Sequence, residues 1–256
     1  MGYENLLLEH KGSVCVLSIN HPPANAVNYA TLVDMDAALD EVENERNLRA
    51  LIITGAGEKG FCAGFDATDF EHAGQAGPKG QEVWTRVDRF PKPVIAAING
   101  FAFGGGCELA LACHFRLMAD APKAKIGLTE LNLGIIPGWG GTQRMTSILG
   151  KAKALELILL SRRLTASEAL EIGLVNQVCA PDQLMSNALE LAGVLAERPP
   201  IAVRCTLEAI TACVEKGLDE GLKVEATGRD TVSRTKDAQE GFSAFLEKRK
   251  PEFTGE

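Results

Sequence analysis

The chain has no C-x-x-C pair, no H-E-x-x-H pair, no G-x-S-x-G elbow and no run of about 18 uninterrupted apolar residues, and each absence removes a class of protein. Without the first two, zinc ribbons and zinc-protease centres lack their ligands, and the four histidines are too scattered to supply them. Without the third, serine-hydrolase chemistry has no visible nucleophile. Without the long apolar run there is no candidate membrane-spanning helix. A basic excess is missing as well. The 26 Lys and Arg face 34 Asp and Glu, a net charge of −8, the wrong sign for general nucleic-acid affinity, which rests on neutralising phosphates. One basic cluster, "EKRK" at residues 247–250, reads as a solvated helix end. The seven cysteines are odd in number and read as reduced, packed thiols. The opening stretch "MGYENLLLEHKGSVCVLSIN" carries acidic Glu4 and Glu9 and lacks the features of a signal or transit peptide, so a cytoplasmic protein is expected.

The 256 residues are 46% hydrophobic and 23% charged, enough for one large domain or for a main domain with an appendage. "SVCVLSIN" (residues 13–20) reads as a strand ended by Pro22 and Pro23. In "LVDMDAALDEVENERNLRA" (residues 32–50), Leu32, Met35, Ala38, Leu39 and Val42 fall at helical spacing. "ALIITG" (50–55) and "PVIAAING" (93–100) read as buried strands, each followed by a glycine turn and helix-like sequence. "EHAGQAGPKGQ" (71–81) has loop composition. From about Lys151 onward the helical period dominates, with Gly173 as one stop and Pro199–Pro200 as another. Two apolar faces stand out there, one of Leu207, Ile210, Val214 and Leu218, the other of Phe242, Phe245 and Leu246; they cover either the main domain or another subunit.

The segment with the most chemistry in it is "AINGFAFGGGCELALAC" (residues 97–113). Three successive glycines, Gly104 to Gly106, let other atoms approach the main chain, and the helix formers after them place a helix N-terminus there. Such an end favours negative charge. The run matches neither the G-x-G-x-x-G dinucleotide fingerprint nor a P-loop. Glu108 is the single charge in the greasy stretch. Taken alone it is either a first-turn acid complementing the helix dipole or a functional carboxylate. A second glycine turn, "GEKGFCAGFDATDF" (57–70), also follows a strand, so the two turns are candidates to face one pocket.

Together with "VLSINHPPANAVN", "LTELNLGIIPGWGGTQRM", "SEALEIGLVNQV" and "GFSAFLEKRK", these motifs span nearly the whole chain in order. The sequence resembles the enoyl-CoA hydratase/isomerase, or crotonase, superfamily. The resemblance implies an α/β fold, a spiral of ββα repeats over residues 1–195, and a helical C-terminal region, 196–256, used in oligomer contacts within a homotrimer or homohexamer. It also implies a CoA thioester substrate, with coenzyme A as part of the substrate and no separate cofactor or metal, and a place in fatty acid metabolism.

By motif position, the resemblance puts two oxyanion-holding N–H groups on Phe65 and Gly105, and two catalytic carboxyls on Glu108 and Glu130. Glu130 on its own reads as a helix-start acid after Thr129. In the family's hydratases the matching pair holds a water: one acid helps to activate it and the other, here Glu130, protonates Cα, a division that requires one ionised and one protonated carboxyl. Gly138 is expected either to offer its N–H to that water or simply to turn the chain after Pro137. Ala24, Ala26, Ala63, Asp66, Ala67 and Thr68 are expected along the CoA, with Lys248 or Lys250 reaching its phosphates. Phe65 stands where the family usually has a small residue and His114 where it often has Asp. The stretch from Glu108 to Glu130 is about two residues longer than in many hydratases, which puts the spacing of the carboxyls in question. Enoyl-CoA isomerisation through one carboxylate is the first rival reading, and a non-catalytic CoA- or RNA-binding scaffold is the second.

Overall fold

The computed structural model of the chain describes residues 2–256. Among the described residues ten strands fall into two sheets. The larger sheet has the order β1 (Leu6–Lys11), β2 (Val14–Ile19), β3 (Ala50–Gly55), β5 (Val94–Ile98), β7 (Phe115–Ala119), β10 (Gln177–Cys179). The smaller has the order β4 (Gly60–Cys62), β6 (Phe101–Phe103), β8 (Lys125–Gly127), β9 (Leu164–Thr165). Strands β2, β3, β5, β7 and β10 are parallel neighbours, and only β1 runs antiparallel at that edge.

The chain order explains the layers. Each turn of the chain gives one strand to the large sheet, the next to the small sheet, and then a helix: β3 and β4 precede α2 (Ala73–Asp88), β5 and β6 precede α3 (Gly105–Ala112), and β7 and β8 precede α4 (Gly141–Leu149). This is the ββα spiral that the resemblance implied. The first-strand segments are buried on both faces: every residue of β3 and of β5 is buried, which is why they read as continuous apolar runs rather than alternating ones.

Helix α1 (Tyr29–Asn44) starts where Asn28 accepts the Thr31 N–H at 2.8 Å, and it buries the five apolar positions its spacing marked. It ends at Asn44, six residues short of the end of the segment that reads as helical, because residues 45–49 lead the chain into β3, which starts at Ala50. The helical remainder comprises α5 (Lys151–Leu159), α6 (Ala166–Glu171), α7 (Leu184–Ala196), α8 (Pro200–Lys216), α9 (Leu218–Val232) and α10 (Lys236–Glu247). Helix α7 covers the outer face of the large sheet, burying Leu184, Ala188 and Ala192 against Val16, Ile52 and Leu117. In α8 to α10, Ile210, Val214, Leu218, Phe242, Phe245 and Leu246 stay exposed, so neither of the two apolar faces is buried against the main body.

Two sequence expectations change. Strand β1, "LLLEHK", was not anticipated: apart from Leu6 its side chains are only partly buried or exposed, and its pairing with β2 gives it its conformation. Residues 71–81, expected as a loop, form a short helical turn (Phe70–His72) and the first half of α2. Gly74 and Gly77 have open space around them, Pro78 sits inside the helix, and the segment is held by buried Ala76, Val83, Trp84 and Val87. Tertiary packing outweighs poor local propensity here. Gly80 is a packing residue: a Cβ there would lie 2.2 Å from the Trp139 indole.

Candidate active site

The register of the small sheet brings the site together. Strands β4 and β6 are parallel, with Cys62 opposite Ala102, so the chain arrives three residues later at Phe65 on one side and Gly105 on the other. Both turns pass through a glycine in the left-handed region, Gly64 at φ 94° and Gly104 at φ 52°. The turns touch: a Cβ on Gly64 would lie 2.9 Å from the Gly105 nitrogen. Phe65 bridges Val27 in parallel fashion, with the Val27 N–H donating to Gly64 O at 2.8 Å and the Asp66 N–H to Val27 O at 2.9 Å. That pattern turns the N–H of Phe65 itself away from Val27. Gly105 opens α3, so its N–H has no intrahelical acceptor. Among the described residues neither amide has a backbone acceptor.

Aromatic side chains fix these turns from behind. The Trp84 indole N–H donates to the Gly105 carbonyl at 2.9 Å, which holds the first peptide of α3. Trp139 packs against the same residue, since a Cβ on Gly105 would come within 2.4 Å of its ring. The Trp139 ring meets Trp84 edge-on at 5.5 Å and Phe65 edge-on at 6.3 Å between centroids. Trp84 and Trp139 are buried, and together they fill the space between α2 and α3.

One turn into α3, Glu108 is 2% exposed. Its Oε1 accepts two backbone N–H groups, from Trp139 and Gly141, each at 2.8 Å. Burial pushes its carboxyl up to about 7; the Gly141 and Trp139 N–H groups and the Arg144 charge pull it down, and the charge on Glu130 pushes it further up. At neutral pH it therefore stands near the midpoint of its titration.

Glu130 comes from the third repeat, at the start of a short helical turn (Glu130–Leu133) that follows β8. Thr129 makes no side-chain cap for that turn. The carboxyl of Glu130 lies over Gly104, where a Cβ would be 3.2 Å from Oε1, and its Oε2 is buried without a hydrogen-bond partner. Burial raises its pKa. Despite the long connection after Glu108, Glu130 thus reaches the glycine immediately before Gly105, and its charge acts on Glu108. A buried carboxyl oxygen with no partner is a place for a proton or a polar ligand.

The enoyl-CoA hydratase/isomerase family model matches residues 9–256. The chain is 41% identical to the short-chain-enoyl-CoA hydratase of Clostridium acetobutylicum, with 98% of each covered, and 40% identical to the crotonyl-CoA hydratase of Syntrophomonas wolfei, with 99% of each covered. Its fold superimposes on the crystal structure of enoyl-CoA hydratase from Bacillus anthracis with a TM-score of 0.95 at 42% identity, over 99% of this chain and 100% of that one. The chain belongs to the enoyl-CoA hydratase/isomerase family.

Of the other positions that the family resemblance marked, those at residues 24–26 and 63–68 lie around the same turns. Residues 24–27 run beside 63–66: the Ala63 N–H donates to Ala24 O at 3.2 Å, Ala26 O contacts the His21 ring at 2.7 Å, and Asp66 Oδ1 accepts from the N–H and hydroxyl of Thr68 at 2.9 and 2.7 Å. Ala67 and Thr68 are exposed. Gly138 is exposed too, and among the described residues its N–H has no protein acceptor. Lys250 pairs with Glu197 at 2.7 Å, while Lys248 ends α10 in a left-handed conformation. Among the described residues no three His, Cys, Asp or Glu side chains group as a metal site needs. Sequence reasoning missed Trp84, Trp139, Gly141 and Arg144. Three of them sit in "GWGGTQR", a motif that was noticed, but the donors to Glu108 are one and three residues beyond the glycine singled out.

Proposed function

We propose that this member of the family is an enoyl-CoA hydratase, adding water across the double bond of a trans-2-enoyl-CoA to give a 3-hydroxyacyl-CoA. The observation that carries the reading is the meeting of two buried carboxyls, Glu108 and Glu130, with two backbone amides, Phe65 and Gly105, that have no backbone acceptor. The amides would take the thioester oxygen, and their hydrogen bonds strengthen as it becomes an enolate. Water lies between the acids. Its oxygen bonds to Cβ while its proton passes to the ionised carboxyl, Glu108, whose Oε1 is fixed by two N–H groups. Glu130 gives its proton to Cα, and the proton now on Glu108 passes back to restore the pair. The competent state carries one proton on the two acids together.

The CoA would run along residues 24–26 and 63–68, near Ala24, Ala26, Ala63, Asp66, Ala67 and Thr68, and Gly138 would offer its N–H to the water. With Trp139 filling the space beside Gly105, the acyl chain would be short. We place the protein in the cytoplasm, as a homotrimer or homohexamer joined through residues 196–256; the exposed Phe242, Phe245 and Leu246 support that assembly. Among the described residues no helix is long and apolar enough to cross a membrane. Incubation with a short and a long trans-2-enoyl-CoA, following loss of the conjugated thioester absorbance, tests the reading: the short substrate is expected to be hydrated. Failure with both would overturn it.

A further inference from the structure

Arg144 on α4 makes three contacts that tie the end of α2 to the 139–141 turn. Its Nε donates to Asp88 Oδ2 at 2.7 Å, its Nη2 to Thr85 Oγ1 at 3.3 Å and its Nη1 to the Trp139 carbonyl at 2.7 Å. Asp88 and Thr85 lie in the last turn of α2, next to Trp84. The guanidinium is largely buried and rests on Gly140, where a Cβ would come within 2.2 Å of Nη1. Trp139 and Gly141, on either side of Gly140, supply the two N–H groups that hold Glu108 Oε1.

We propose that Arg144, anchored by Asp88 and Thr85, is a positioning residue that clamps the 139–141 turn so that its two N–H groups fix Glu108 Oε1 and leave Oε2 for the water. The inference rests on the hydratase reading for its kinetic consequence but not for its geometry. A planar guanidinium fork reaches a carboxylate, a hydroxyl and a carbonyl at once, which a lysine ammonium on a flexible stem does not reproduce. The clamp also brings a positive charge near an acid that burial would otherwise keep protonated. The charges that act on Glu108 are Glu130 from the turn after β8 and Arg144 from α4; the Cys107 thiol, one residue earlier on α3, feels Glu130, Glu108 and Arg116 from β7, and Cys62 on β4 packs against Gly106 of the same helix. Burial raises both thiols, so they stay neutral. Arg116 is spent on other acceptors: it donates to Cys113 O at 2.6 Å and Leu174 O at 2.8 Å. Arg144 is therefore the cation tied through hydrogen bonds to the Glu108 cradle.

The test uses the full chain with 13C-labelled glutamate carboxyls, the Glu108 signal assigned by its loss in Glu108→Gln, and the pH dependence of kcat with crotonyl-CoA. In Arg144→Gln the Glu108 titration is expected to move up by about one pH unit. kcat should fall by about tenfold to a hundredfold with KM changed less than about threefold, because a misplaced carboxyl harms the reaction more than binding. Arg144→Lys should return the titration towards wild type while leaving kcat low, and Asp88→Asn should lie between. A Glu108 titration at the wild-type pH in Arg144→Gln, or an unchanged kcat, overturns the proposal. Where Arg144→Gln does not fold, Asp88→Asn decides it by both criteria, and Arg144→Lys by kcat alone: an unchanged kcat in Arg144→Lys overturns the proposal. Absence of hydration by the wild type would sink the hydratase reading alone, since the titration of Glu108 is read without turnover.

Discussion

The indole N–H of Trp84 is 2.9 Å from the carbonyl oxygen of Gly105, so a side chain of α2 fixes the peptide that begins α3. Trp84→Phe keeps an aromatic ring and removes that donor. Losing a buried hydrogen bond costs about 1–3 kcal/mol when its partner stays unsatisfied. Part of that cost should appear as a lower kcat, because Gly105, whose N–H lies in the preceding peptide, loses the anchor on its carbonyl. Paired measurements of unfolding midpoint and kcat/KM check this; a stability loss with unchanged kcat would separate Trp84 from the chemistry.

A methyl group at Gly105 has no room, since its Cβ would come within 2.4 Å of Trp139. Gly105→Ala must push Trp139 aside, and the Trp139 N–H that holds Glu108 moves with it. The expected loss in kcat is about a hundredfold or more, comparable to removing an oxyanion donor. Near-UV circular dichroism should report the displaced indole alongside the kinetics.

Removing the Trp139 side chain opens the space between α2 and α3. Trp139→Ala should cost about 3–5 kcal/mol of stability as a large core truncation. It should also raise the ratio of kcat/KM for an eight-carbon enoyl-CoA over the four-carbon one. An unchanged ratio would mean that the acyl chain leaves the site in another direction.

Glu108 sets a dependence of stability on pH. Its folded-state carboxyl is raised from 4.5 to about 7, so folding favours the protonated form. That contribution is complete below about 4.5 and is lost as pH rises through 7. Glu108→Gln, which stays neutral, should match the wild type near pH 4.5 and exceed it above pH 8 by on the order of 3 kcal/mol. Urea unfolding at three pH values measures the difference; a variant less stable than wild type at high pH would contradict the raised carboxyl.

Much of this arrangement was legible before any coordinates, and the reasons are physical. Strands β3 and β5 were readable because they are buried on both faces and so are continuously apolar. Glu108 was readable because a lone acid in an apolar run needs an explanation, and the family motifs supplied one. Helix α2 was not readable: its glycines and proline argue locally for a loop, and its reason for being helical is Trp84 and Val83 packing against residues distant in the chain. Arg144 was invisible for the same reason. Its three acceptors lie on Thr85, Asp88 and Trp139, and only the fold brings them to one guanidinium. The connection from Glu108 to Glu130 is long, and it is the sheet register, with β8 paired to β6, that brings Glu130 beside Gly104, a placement no spacing in the sequence reveals.

In the proposed reaction two acids share one water on a thioester held by backbone amides. Its most direct measurement is the rate of crotonyl-CoA hydration by the wild type, Glu108→Gln and Glu130→Gln at neutral pH, with folding of each checked by circular dichroism. The wild type should hydrate rapidly and each variant should lose about a thousandfold or more, since each removes a proton-transfer group. Hydration that survives in Glu130→Gln while disappearing in Glu108→Gln would contradict it, leaving a site that works through a single carboxylate.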